Sequence, residues 1–182
     1  MGCIVLSFLN LPPNLRNKPG YSLLYSIIPG PNAPNLTQIS NSLRPLVDEL
    51  LSLKDAVRIC TSDYPKGREI YVQLLPSVGD LVEMHKIFSF GLHSASQFCA
   101  WCTAELKDLQ AISIGTGQGA HEVREAANTR KSATSISLEE KIQKTSGVRW
   151  SELNRLPYCL PNMNVALGIM HNWLEGILQE HF

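Results

Sequence analysis

Cys99 and Cys102 form the one tight pair among the five cysteines of the sequence. A Cys-x-x-Cys spacing suits two thiolates on one tetrahedral ion, because the turn between them brings both sulfurs to the metal. A redox pair and two unremarkable thiols are the alternatives. A thioredoxin-type pair opens a helix after a buried strand, and Phe98-Cys99-Ala100-Trp101-Cys102 has no such setting. Asp80 is the second candidate. It follows an apolar run, where a fixed backbone can aim a carboxylate into a cleft. It also has the type and place of an N-cap for a helix starting at Leu81, and one side chain can hold both roles.

The elements that would position these groups must come from 182 residues, a length that fits one domain. Hydrophobic residues make up 44%, enough for a core rather than a disordered chain. Lysine plus arginine equals aspartate plus glutamate. A free-standing nucleic-acid binder usually shows a basic excess, so this balance counts against one. The cysteines are odd in number and irregular in spacing, which argues against a secreted disulfide framework and for a reducing, intracellular compartment. No apolar run reaches the roughly 20 residues that span a bilayer, so no membrane partner is expected. Leu6 stands where a myristoylation pattern wants Ser or Thr. No basic segment precedes the first apolar run, as a signal peptide requires.

Cys3 to Leu11 reads as a strand, with Ile4 to Leu9 buried, stopped by Pro12-Pro13, and Tyr21 to Ile28 as a second β-favouring run, stopped by Pro29-Gly30-Pro31. Leu36 to Leu53 is helical, with Leu36, Ile39, Leu43, Leu46, Val47, Leu50 and Leu53 on one face. Pro45 inside it either kinks the helix or starts a second. Glu69 to Val78 reads as an interior strand, with the 36–53 helix packed across it. Leu81 to Phe90 follows as a short helix, and Gly91 to Cys102 as a loop. Residues 108–146 are polar and read as an exposed insertion with helix near Glu122 to Asn128 and Leu138 to Thr145. Glycines 115, 117 and 119 lie in it without the Gly-Lys-Ser/Thr ending of a phosphate loop. Val165 to Phe182 is a helix candidate.

Seven segments in order resemble the transposase core of the Kyakuja–Dileera–Zisupton group and its CACTA relatives, common in mushroom-forming fungi. They are Leu9-Asn10-Leu11-Pro12-Pro13 with Arg16, Ile28-Pro29-Gly30-Pro31, Leu43 to Leu50, Asp80-Leu81, Phe98-Cys99 with Cys102, Gly147 to Leu153, and Met170-His171-Asn172. They cover nearly the whole chain except the polar insertion.

The resemblance implies an α/β fold: a partial ribonuclease-H-like core over 1–107, the insertion over 108–146 and a helical return over 147–182, one domain truncated at both ends. In intact relatives three carboxylates hold two Mg²⁺ or Mn²⁺ ions. Asp80 matches the second acid. The first is expected before Cys3 and the last beyond Phe182. Gly168 stands where many relatives carry Asp in Asp-x-Met-His, and the family's Asp-Leu-Pro-Ala is altered to Asp80-Leu81-Val82-Glu83. Glu175, one helical turn after His171, is a weak substitute. Relatives also carry the cysteine pair, with a later histidine completing a structural zinc site. His171 is the match and His93 the alternative ligand. His181 is a poor companion to His171, being about 15 Å further along a straight helix.

On these grounds the chain is expected to be a nuclear transposase fragment, inactive by itself, whose intact relatives bind transposon-end DNA and self-associate. A host-retained, non-catalytic DNA- or protein-binding derivative is the first alternative. A zinc-stabilised α/β domain is the second.

Overall fold

A computed structural model describes residues 2–92, 95–111 and 114–181. It is a mixture of helices and small sheets, and it divides into two compact units, 1–38 and 39–182. The boundaries expected near 107 and 146 both fall inside the second unit.

In the first unit, β1 (Gly2–Ser7) pairs antiparallel with β2 (Ser22–Ile28), with a bulge between Ile4 and Val5. The short α1 (Pro13–Arg16) starts on a proline, whose missing N–H costs nothing at a helix start. Arg16 then turns back and donates to the carbonyls of Leu9 and Leu11. The second strand is where the sequence puts it, but the first ends at Ser7 rather than Leu11, and the burial expected of it is not found. No residue of β1 or β2 is fully buried, and Val5, Leu23, Leu24 and Ile27 are about half exposed. A ribbon of only two strands has no second layer within itself to cover either face.

α2 (Leu36–Ser52) begins in the last residues of the first unit, and most of it, from Ile39 on, belongs to the second. Its start is a reciprocal cap: the Gln38 N–H donates to Asn35 Oδ1, and the Asn35 N–H donates to Gln38 Oε1, both at 2.9 Å. Ile39, Leu43, Leu46, Val47 and Leu50 are buried, which is the expected face. Pro45 stays within one helix, on the exposed side. Polar residues of α2 tie to the 3₁₀ turn Glu152–Arg155: Arg155 donates to Asp48 at 2.6 Å, and Arg44 lies 3.6 Å from Glu152.

The strand expected over Glu69 to Val78 is not formed. Its start is β4 (Arg68–Ile70), a three-residue partner of β3 (Val57–Ile59), joined through Gly67 at φ +80°. Its end is β5 (Ser77–Gly79). Between them Tyr71 and Leu75 point outward, 68% and 50% exposed, while Val72 and Leu74 are half-buried. The alternation is real, but no strand flanks it. The Val72 N–H goes to the Leu53 carbonyl, the Leu74 N–H goes to the Tyr158 hydroxyl, and Pro76 has no N–H to give a ladder.

β5 pairs parallel with β6 (Val165–Leu167), so the region read as the start of a C-terminal helix is a strand first. Three residues are too few to show a period, and the apolar run simply continues into the helical turns of Met170–Ile177 and α6 (Leu178–His181). After β5 comes α3 (Leu81–Phe88). The polar region holds α4 (Ala120–Lys131) and α5 (Ile136–Ser146). It is not wholly exposed: Val123 and Ala127 are buried, and Arg124 donates to the carbonyls of Asn154, Leu156 and Pro157.

Candidate metal centre

Asp80 stands immediately past β5. Its side chain accepts the Glu83 N–H at 2.8 Å, capping α3, so the cap reading holds in the geometry. The ladder carries on past the strand ends: Gly79 pairs with Leu167, and the Gly168 N–H donates to the Gly79 carbonyl at 2.8 Å. Asp80 and Gly168 therefore occupy neighbouring positions at the C-terminal ends of two parallel strands, about 5 Å apart by strand spacing. A Cβ at Gly168 would meet nothing nearer than the Gly79 carbonyl oxygen at 3.4 Å, an ordinary contact. The Gly168 carbonyl accepts the Asn172 side-chain amide at 2.7 Å, which anchors the helical turn that follows.

The other end of α3 is held by Gly147 to Leu153. Gly147, at φ +68°, ends α5 with its N–H on the Gln143 carbonyl, and its own carbonyl accepts the Gly91 N–H at 2.7 Å. Val148 bridges to Phe90. Arg149 donates to the Phe90 carbonyl at 2.9 Å, and the Ser151 hydroxyl donates to the Ile87 carbonyl at 2.7 Å. Helix ends leave carbonyls without intrahelical partners, and this segment supplies one for Ile87. Buried His85 contacts the Gly91 carbonyl through Nδ1 at 2.6 Å. A carbonyl can only accept, so Nδ1 carries the proton. Burial pushes the His85 pKa down, the Gly91 carbonyl opposes this, and nearby Arg149 adds to the lowering.

Cys99 and Cys102 sit on a tight turn between Gln97 and Glu105, which bridge to one another in antiparallel fashion. Their sulfurs are 3.3 Å apart. Tetrahedral zinc with thiolates at about 2.3 Å sets them about 3.8 Å apart, a small opening of the same turn. The Trp101 N–H points to the Cys99 sulfur at 3.4 Å, and the Ala104 and Gly115 backbone groups bond to the Cys102 sulfur. Each cysteine thus takes an N–H from the residue two positions on, an arrangement that stabilises thiolates. The two respond differently. Burial, with the Cys102 thiol beside it, pushes the Cys99 pKa up. Burial works the same way on Cys102, but the bonds from Ala104, Cys99 and Gly115 outweigh it and bring that pKa down.

The glycine run closes over this turn. Cys102 bridges to Gly117, the Thr103 N–H donates to the Thr116 carbonyl, and the Gln118 amide donates to the Cys102 carbonyl at 2.8 Å. A Cβ on Gly115 would lie 2.3 Å from the Ala104 nitrogen, so only glycine allows this approach. Sequence reading missed these residues. The signal was present in the alternate glycines, but it pointed to no partner.

Among the described residues no third His, Cys, Asp or Glu joins the pair to make a metal-binding group. His93 lies outside the described residues. The His171 backbone is in the turns Met170–Ile177, and its side chain is outside the description, as is that of His181. The donors present fit half of a tetrahedral thiolate site. Asp80 by itself does not make a two-metal carboxylate site. Among the described residues no helix is long and apolar enough to cross a membrane. No family model matches the chain, and no curated protein or solved structure matches it.

Proposed function

We propose that the chain is a fragment of the catalytic core of a DDE-type DNA transposase, with a ribonuclease-H-like ancestry, inactive in DNA cutting by itself. One observation carries the reading most. Asp80 and Gly168 are 88 positions apart in sequence, yet they are neighbours across the β5–β6 ladder. Asp80 matches the family's second acid, and Gly168 stands where many relatives carry Asp. Two carboxylates there would face one cation at the open ends of parallel strands, and oxygen ligands are what Mg²⁺ and Mn²⁺ prefer. With glycine at 168, one carboxylate remains, and it already caps a helix. Two metal ions held by three acids would lower the barrier to phosphodiester attack, one activating the attacking oxygen and the other stabilising the leaving one. These 182 residues hold one of the three.

The cysteine turn is read as half of a structural zinc site, with His171, or alternatively His93, completing it. Its thiolate-stabilising N–H groups support this, and its role would be architectural. Zinc content measured on purified protein decides it. About one equivalent, falling to none in Cys99→Ser, is expected; no zinc in protein purified without chelator removes the site from the reading. The transposase reading is tested by restoring the acid. Gly168→Asp is expected to acquire Mn²⁺ binding that Asp80→Ala abolishes, and an unchanged Gly168→Asp variant would count against it.

One observation favours a second reading. The Asp80 carboxylate is committed to the α3 N-terminus, as it would be in a zinc-stabilised domain that never held a catalytic metal.

A further inference from the structure

Two dipeptides from separate segments meet beside the end of α3: Arg130-Lys131 in the last turn of α4, and Arg149-Trp150. The Lys131 ammonium lies 3.8 Å over the centre of the Trp150 ring. Arg149 is anchored by its bond to the Phe90 carbonyl, which fixes its guanidinium rather than leaving it to solvent. Arg130 is close enough to Arg149 for its charge to add to burial, the larger cause, in lowering the Arg149 pKa. Three cations thus share one corner. A carboxylate, Glu139 on α5, lies 3.3 Å from Arg130. His85 also faces Arg149, but burial holds it neutral.

The donors of this corner are not used up. Arg130 Nε, Arg149 Nε and Trp150 Nε1 are all buried and lack a protein acceptor. Buried N–H groups are nearly always paired, and each exception asks for a partner. Basic residues at a helix C-terminus are ordinary partners of the helix dipole. That accounts for Arg130 and Lys131, but not for the Arg149 brought against them from another segment, nor for the idle indole N–H.

We propose that Arg130, Lys131, Arg149 and Trp150 form a binding site for a phosphate group. Like charges held together with spare donors match an anion. Glu139 reaches one end of the Arg130 guanidinium, at 3.3 Å, and leaves its Nε unpaired. A phosphate offers acceptor oxygens in several directions at once, which suits the remaining guanidinium N–H groups of Arg130 and Arg149, an ammonium and an indole N–H. The phosphate can belong to a nucleic-acid backbone or be free.

The full chain is tested with two probes: a labelled DNA duplex followed by anisotropy across a salt series, and inorganic phosphate followed by the thermal midpoint. Arg130→Gln/Lys131→Gln is expected to weaken duplex binding about tenfold and to lower the salt slope by roughly two, one for each cation lost. Glu139→Gln, which removes the competing carboxylate, should tighten it about two- to fourfold. Lys131→Gln alone, at an exposed position, carries the test if the double variant does not fold. Phosphate stabilisation lost in the same variants, without duplex binding, supports the site and assigns its ligand as free phosphate. Binding of neither probe by the wild-type chain, or binding of both unchanged in the variants, overturns the proposal. Neither Asp80 nor Gly168 takes part, so either outcome leaves the metal test on the transposase reading unaffected.

Discussion

The Ser151 hydroxyl donates to the Ile87 carbonyl across 2.7 Å and accepts the N–H of Leu153. One buried oxygen thus closes the end of α3 and opens the 3₁₀ turn Glu152–Arg155. Ser151→Ala keeps the approximate volume and removes both bonds, leaving a part-buried carbonyl and a buried N–H unpaired. It should cost about 1–3 kcal/mol. Urea unfolding should show a lower midpoint with unchanged slope. A midpoint within error of wild type would mean that this contact does not hold the segment.

Gly115 and Gly117 make a matched pair. A methyl at 115 would strike the backbone of Ala104, whereas at 117 it would meet nothing within 4 Å. Gly115→Ala should open the cysteine turn, reduce zinc retention and speed alkylation of Cys99 and Cys102. Gly117→Ala should change stability by no more than about 0.5 kcal/mol. Thiol labelling with mass readout separates them. Buried Cys159, its pKa pushed up to about 11 by burial, serves as the unreactive reference. Equal labelling of the two variants would contradict the packing described.

His85 gives the fold an acid-side sensitivity. Burial is the main reason its folded pKa lies below the ordinary 6.5. Between that folded value and 6.5 the unfolded chain binds more protons than the folded one, so stability falls as pH drops through this window and levels off below it. His85→Gln, which can still donate to the Gly91 carbonyl but does not titrate there, should flatten the profile below pH 6.5. Urea midpoints measured from pH 5 to pH 8 check this. A slope that persists in the variant would place the sensitive group elsewhere.

The legible parts of the fold are those set by local chemistry. α2 shows its buried stripe and its Asn35 and Gln38 cap within one stretch of sequence, and Asp80 shows its cap in the same way. The run from Glu69 to Val78 misleads because alternation reports which side chains face inward, not whether a strand lies alongside. Val72 and Leu74 do face inward, but Leu53 and Tyr158 take their N–H groups. The cysteine turn is visible from spacing alone, while its cover, Gly115 to Gln118, becomes visible only when two segments meet. The register that brings Asp80 beside Gly168 is likewise tertiary, since three-residue strands carry too little pattern to announce their pairing.

The Asp80–Gly168 adjacency is also where the account is most exposed. Mn²⁺ titration followed by electron paramagnetic resonance, on wild type, Gly168→Asp and Asp80→Ala/Gly168→Asp, tests it directly. Wild type should bind weakly or not at all. Gly168→Asp should bind with a dissociation constant on the order of 1 mM or tighter, as expected for a small set of oxygen ligands. The double variant should lose that gain. Gly168→Asp that folds like wild type yet binds no more Mn²⁺, or that keeps its gain without Asp80, would contradict the descent of this site from a transposase metal centre.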